Sequence, residues 1–259
     1  MSPMFFLSRM DPTDDRLALE ASAMGFEVVR VALLATEPGA DSRSLADLIA
    51  AMPDATALAW TSRRAADSLA RAAFPRHREK LARVPMYAVG EESAAPIQQL
   101  GGLRPLTPSE SAGASGLARF IARRAAGDGV KRVVFLHGDR SLPDLSDGLR
   151  GGGIDVELLE VYRTRFLDAD VDGLEAALKE AGAVAAAFFS PSGVDALERL
   201  LSAGARKRLR ESATAIARGA TTAQALEERG YRRVLHPEGV VPFDRYALEA
   251  LQSLSGGPR

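Results

Sequence analysis

The sequence predicts an α/β protein built from two sibling parallel-sheet domains, and three observations predict it. Segments of the first half recur in the second at a nearly constant spacing. Short apolar runs bounded by turn residues alternate with helical stretches. A glycine stands at the end of several of those helices.

The repeat is the strongest of the three, because an internal period sets the architecture before any single element is assigned. Tyr87 to Pro108 resembles Ala215 to Pro237, and Gly90, Gly101 and Pro108 are matched 129 positions later by Gly219, Gly230 and Pro237. Phe5 to Arg9 pairs with Val134 to Asp139 at the same spacing. Met24 to Thr36 pairs with Gly152 to Thr164, and Leu58 to Leu69 with Ala187 to Leu197, within a residue or so of it. Four pairs at one spacing in a chain of 259 residues point to an internal duplication.

The apolar runs, in order, are Met4 to Leu7, Val28 to Leu34, Ala57 to Trp60, Met86 to Val89, Val133 to Leu136, Ala183 to Phe189 and Ala213 to Ala217. Continuous rather than alternating apolar character is expected of strands covered on both faces. Helices are expected over Thr13 to Met24, Arg64 to Ala73, Leu117 to Ala126 and Thr221 to Arg229. Gly25, Gly101, Gly153 and Gly230 fit left-handed helix stops. Strands alternating with helices give a parallel sheet covered on both faces, here twice, and two such domains would form a cleft for a ligand.

Composition narrows the chemistry. Lys and Arg number 33 against 34 Asp and Glu, a net charge of −1, which disfavours bulk nucleic-acid or anionic-membrane binding. The absence of cysteine removes disulfides, thiolate catalysis and Cys-ligated metals. The N-terminus lacks the basic and long apolar regions of a secretory signal, and no apolar run approaches membrane-spanning length. A cytoplasmic protein is expected. No phosphate loop occurs, because Gly151 to Gly153 precedes a strand instead of opening a helix. No G-x-S-x-G elbow occurs, and His77, His137 and His236 have no metal-ligand spacing.

Ligands of open α/β sheets gather at the carboxyl ends of the strands. Those positions hold Ser8 and Arg9; Thr61, Ser62, Arg63 and Arg64; Gly90 to Ser93; His137, Gly138, Asp139 and Arg140; Ser190, Ser192 and Gly193; and Arg218 to Thr222. Hydroxyls and helix N-terminal amides suit a carboxylate or phosphate, and the same residues also serve as plain helix caps. Tyr162 breaks the repeat, since its counterpart is Leu34 while Thr36 and Thr164 match. It is either a residue with a task of its own or an ordinary half-buried strand tyrosine.

With these residues in view, the chain resembles the uroporphyrinogen-III synthase family over nearly its whole length. The matching pieces are Glu160 to Thr164 (EVYRT), Phe188 to Gly193 (FFSPSG), Gly219 to Leu226 (GATTAQAL), Thr61 to Ala65 (TSRRA) and Tyr87 to Ala94 (YAVGEESA). Arg218-Gly219-Ala220 stands where the family usually has Ile-Gly-Pro, Ser8-Arg9-Met10 where Thr-Arg-Pro is common, and no Asn stands near Gly113. The resemblance implies two flavodoxin-like domains joined by a two-stranded β-ladder, with the chain crossing near Leu33 to Thr36 and Val161 to Thr164. One domain would hold 1–36 plus 165–259 and the other 40–160, with linkers 35–40 and 160–166.

The resemblance also implies cyclisation of the linear tetrapyrrole hydroxymethylbilane to uroporphyrinogen III, with loss of water and inversion of the last ring, in porphyrin biosynthesis. It implies a lyase without cofactor or metal, because the substrate carries its own leaving hydroxyl. Tyr162 would be catalytic. Arg9, Thr61, Ser62, Arg63, Gly138, Asp139, Ser190, Ser192, Gly193, Thr221 and Thr222 would hold the substrate. A monomer is expected, touching the pathway's neighbouring enzymes only transiently. A two-domain solute-binding or sensor protein for a polycarboxylate would share the architecture, and turnover separates the two.

Overall fold

A computed structural model describes residues 2–8, 16–74, 76–109, 113–239 and 241–255. The chain opens with β1 (Met4–Leu7), α1 (Arg16–Ala23), β2 (Glu27–Arg30), β3 (Leu34–Pro38), α2 (Leu45–Ala51), β4 (Thr56–Trp60), α3 (Arg63–Ala73) and α4 (Arg78–Leu81). It continues through β5 (Met86–Ala88), α5 (Glu91–Gln98), α6 (Ala114–Ala125), β6 (Arg132–Gly138), α7 (Asp144–Gly151) and β7 (Asp155–Phe166). The last third holds α8 (Asp172–Glu180), β8 (Val184–Phe188), α9 (Pro191–Leu200), α10 (Ala203–Ser212), β9 (Ala213–Ala217), α11 (Ala220–Glu228), β10 (Arg233–Leu235) and α12 (Phe243–Ser255).

Two compact units result. One comprises Met1–Ala35 with Phe166–Arg259, the other Thr36–Arg165. The sheet of the first runs β10-β9-β8-β1-β2, with every neighbouring pair parallel. Alternation along β1 sends Met4 and Phe6 to one core with α8, α9, α10 and α11, through Leu174, Leu197, Leu209 and Leu226. Phe5 and Leu7 go to the opposite core with α1 and α12, through Leu17, Ala21, Ala247 and Leu251. Burial on both faces is why these strands read as continuous apolar runs.

The sheet of the second unit runs β3-β7-β6-β4-β5, parallel from β7 to β5. Val134 and Leu136 face one core with α2, α3 and α5, through Ile49, Leu69 and Ile97. Val133 and Phe135 face the other, with Ile121 of α6 and Leu149 of α7. Leu106 adds one parallel bridge to Tyr87 beyond β5. The edge strand β3 runs against β7: Leu33 accepts from the amide of Leu167, and Asp41 donates its amide to Glu160.

Matched at the repeat spacing, the two sheets share one strand order. β2-β1-β8-β9-β10 corresponds to β7-β6-β4-β5 and the Leu106 bridge, the 2-1-3-4-5 order of flavodoxin-type sheets. The pairing Met4↔Glu27 to Leu7↔Arg30 reappears 129 positions on as Val133↔Val156 to Leu136↔Leu159. The switch point, where strand order reverses, lies between β1 and β8 in one sheet and between β6 and β4 in the other.

One expected element is corrected. Val28 to Leu34 is not a single strand, because β2 stops at Arg30 and β3 begins at Leu34. Val31 and Leu33 are buried in a core although neither lies in a strand, so the apolar run continues through the break. The four helix-ending glycines, Gly25, Gly101, Gly153 and Gly230, do adopt left-handed φ values, between +74° and +88°. No helix among the described residues is long and apolar enough to cross a membrane.

Candidate functional site

In the second unit, chemistry-bearing residues collect where β6 ends beside β7. Tyr162 is half-buried on β7 and leans on the core of α2, α3 and α5. Gly138, the last residue of β6, is buried beneath its ring, and a Cβ placed there would lie 2.4 Å from the ring's Cζ and 2.8 Å from its hydroxyl. The Tyr162 hydroxyl has no hydrogen-bond partner among the described residues. Asp139 is exposed; its carboxylate accepts the Thr164 amide at 2.9 Å, and its own amide donates to the Tyr162 carbonyl at 3.2 Å. His137 turns its Nδ1 to the Gly138 carbonyl at 2.9 Å.

A clasp between the β3–α2 loop and β7 lies beside Tyr162. Glu160 accepts the Ala40 amide through Oε1 at 3.0 Å, and Asp41 Oδ2 accepts the Glu160 amide at 2.9 Å. The Arg163 guanidinium and the Ala40 amide hold the Glu160 carboxyl below the usual glutamate range. Gly39 permits the approach, since a Cβ there would meet the Glu160 carbonyl oxygen at 2.2 Å. Sequence reading missed Gly39 and Asp41. Their signal was a Pro-Gly turn at Pro38-Gly39, a mark of loop geometry that says nothing of a partner 120 residues away.

At the end of β4, Thr61 and Ser62 are partly buried and Arg63 is exposed. Ser62 is the N-cap of α3, accepting the Arg64 amide at 3.1 Å. In the first unit, Ser190 is the N-cap of α9, accepting the Gly193 amide at 3.2 Å. Gly193 is buried, and the space a Cβ would fill there faces the hydroxyls of Ser190 and Ser8, at 3.6 and 3.9 Å. Ser192 is partly buried in the first turn of the same helix. Ser8, Ser190 and Gly193 thus meet at the switch point of this sheet; Arg9 lies outside the described residues.

Thr221 and Thr222 begin α11 without capping it, because the N-cap is Gly219 and no side chain fills that role. Thr221 is exposed, whereas Thr222 is only 4% exposed and its hydroxyl has no partner among the described residues. The first turn of α11 carries no acidic side chain. Free amides, the positive end of the helix dipole and two hydroxyls make this terminus fit for an anion.

Comparison with known proteins follows this geometry. The family model described as uroporphyrinogen-III synthase HemD matches residues 15–242. A mutant uroporphyrinogen III synthase from Thermus thermophilus superposes with a TM-score of 0.64 at 22% identity, covering 98% of each chain. The uroporphyrinogen-III synthetase of Helicobacter pylori superposes with a TM-score of 0.60 at 19% identity, over 98% of this chain and 100% of that one. At these identities the structural likeness shows the fold. No curated protein sequence matches the chain.

Proposed function

The chain belongs to the uroporphyrinogen-III synthase family, and from that premise we propose how its own residues carry the family's reaction, closure of hydroxymethylbilane to uroporphyrinogen III with loss of water and inversion of ring D. The family match across residues 15–242 carries the function. The unpartnered hydroxyl of Tyr162, opposite the end of β6, carries the assignment of the catalytic group.

Tyr162 meets the substrate's hydroxymethyl group and lends its proton as the C–O bond breaks, so that the bonding pair leaves with water. The pyrrole nitrogen supplies electrons to the carbon left behind, giving a cationic azafulvene. The substituted α-carbon of the last ring attacks it to give a spiro intermediate. That carbon's bond to the neighbouring ring's methylene then breaks, the methylene is recaptured by the last ring's free α-carbon, and the proton lost there on rearomatisation restores the phenol. Water is the only net loss, which makes the enzyme a hydro-lyase of tetrapyrrole biosynthesis, on the route to haem, chlorophyll and cobalamin.

Holding a flexible bilane so that it closes with inversion is a positioning task, and positioning is a large share of catalysis. The substrate's carboxylates fall to Thr221, Thr222 and the amides that open α11, to Ser190, Ser192 and Gly193 at α9, and to Thr61, Ser62 and Arg63 at α3. Arg9 joins them as a cation on the same strand-end pattern. The two serine caps accept helix amides through their oxygens, so what they offer a carboxylate is the hydroxyl O–H and the surrounding N–H groups. The enzyme works as a cytoplasmic monomer, with transient contacts to the enzymes before and after it.

A coupled assay with freshly made hydroxymethylbilane tests this reading, scoring the III isomer against the I isomer that forms spontaneously. Predominant III isomer, rising with enzyme concentration, is expected. Isomer I alone, with the bilane merely bound, would make the protein a polycarboxylate binder and overturn the reading.

A further inference from the structure

We propose that Gly138 is a positioning residue: its missing side chain is the seat of the Tyr162 ring, and a bulge in β7 turns the ring onto that seat. The inference rests on the reading of Tyr162 as the group that meets the leaving hydroxyl.

β6 and β7 pair residue for residue from Arg132↔Asp155 to His137↔Glu160, and then the register shifts so that Gly138 faces Tyr162. Val161 is the extra residue. In a regular strand Val161 and Tyr162 would point to opposite faces. Here Leu159, Val161 and Tyr162 all pack on the core of α2, α3 and α5, as expected when a bulge re-aims a side chain. Val134 and Leu136 face that same core, so the two-residue period puts position 138 on this face too. A Cβ at Gly138 would come within 2.4 Å of Cζ, 2.5 Å of Cε2 and 2.8 Å of the hydroxyl. The clash is with the end of the ring that bears the hydroxyl.

Asp139 fixes the strand around the ring. Its amide binds the Tyr162 carbonyl, and its carboxylate binds the Thr164 amide. The matched strands β1 and β2 pair from Met4↔Glu27 to Leu7↔Arg30 without a shift. At the matched positions the first half has Arg9 and Leu34 in place of the glycine and the tyrosine. Gly138 and Asp139, read from sequence as substrate ligands, are reassigned to holding the phenol.

The test measures kcat and KM on hydroxymethylbilane for Gly138→Ala, Tyr162→Phe and the double variant, with circular dichroism to confirm folding. Gly138→Ala should lower kcat roughly 10- to 100-fold, as expected when a reacting group is misplaced by about 1 Å, with KM nearly unchanged. It should add less than about twofold to Tyr162→Phe, because both act through one hydroxyl. Equal factors in both backgrounds, or wild-type kcat in Gly138→Ala beside a slow Tyr162→Phe, would overturn the proposal and spare the role of Tyr162. Wild-type kcat in Tyr162→Phe would overturn that role first, and this proposal with it. Should Gly138→Ala not fold, the exposed Asp139 carries the test. A kcat lowered in Asp139→Ala and restored in Asp139→Asn, which keeps the acceptor, supports the proposal; an unchanged kcat overturns it.

Discussion

Thr222 and Ser93 stand at the same place in two helices: each is the third residue of a helix that starts from an extended glycine, Gly219 for α11 and Gly90 for α5. They lie 129 positions apart, and both are buried, at 4% and 6% exposure. What differs is the charge in front of them. α5 carries Glu91 and Glu92 in its first turn, and hydrogen bonds from Thr107 and Gln98 keep the Glu91 carboxyl below its ordinary range. One helix therefore supplies its own anion at its N-terminus, and the first turn of α11 carries none.

Thr222→Ala should consequently weaken binding of the product tetrapyrrole by roughly 10- to 100-fold, the worth of one hydrogen bond to a charged group. Ser93→Ala, tested beside it by fluorescence titration, should change affinity less than about twofold if α5 meets no carboxylate. Melting temperatures of both variants separate any loss of stability from loss of affinity. Equal affinities would leave Thr222 a packing residue.

Tyr162→Phe should fold normally and turn over slowly. Removal of a general acid costs about 10²- to 10⁴-fold at most, and positioning by the remaining groups should keep the enzyme measurably active. Steady-state kinetics on fresh substrate decide the matter, since a tyrosine that only packs would lose nothing when its hydroxyl is removed.

The sequence makes this architecture legible where burial is two-sided. β1, β4, β8 and β9 are buried at every position, and each shows as an apolar run. β7 shows in the sequence only as the repeat of Met24 to Thr36 and not as an apolar run of its own, because it mixes buried Leu159 and Val161 with Glu157, Glu160, Arg163 and Arg165 near the sheet edge. β10, three residues long and half exposed, has no periodicity to read. Among the site residues, Ser62 and Ser190 show why strand-end hydroxyls are ambiguous in a sequence. Capping an amide and binding a carboxylate call for the same residues, and only the bonds to Arg64 and Gly193 reveal the first role. The seat of Tyr162 at Gly138 depends on a register shift, which one strand's sequence does not encode alone.

Glu160 should make part of the stability depend on acid pH. Its carboxyl is lowered in the folded chain by the Arg163 guanidinium and then by the Ala40 amide, from an ordinary value of 4.5. The stabilisation is thus complete above that value and is lost as pH falls through the lowered folded one. Wild type should melt about 1–3 °C above Glu160→Gln at pH 7, a small gap because the pair is solvent-exposed, and the gap should close as pH falls below the ordinary glutamate value. A gap that stayed constant through that fall would mean that the ionised carboxyl adds nothing beyond what the amide supplies.

Gly39 and Gly25 separate two reasons for a glycine. Gly25 has a φ of +88° and nothing within 4 Å of its missing Cβ, so an alanine there pays only for the left-handed backbone, about 1–2 kcal/mol. At Gly39 the missing Cβ would lie 2.2 Å from the Glu160 carbonyl oxygen and 2.6 Å from the Tyr162 nitrogen. Those are backbone atoms of β7, and no rotamer change relieves the clash. Gly39→Ala must push the chain after β3 away from β7, weakening the bonds from Ala40 and Asp41 to Glu160. It should cost roughly 3 kcal/mol or more, at the upper end of overpacking penalties. Because the displaced neighbour is the amide of Tyr162, kcat per folded molecule should fall as well, whereas Gly25→Ala should leave kcat unchanged. Denaturant titration and turnover on both variants check this. Equal stability losses with wild-type kcat in both would mean that the contact at Gly39 gives way without moving the tyrosine.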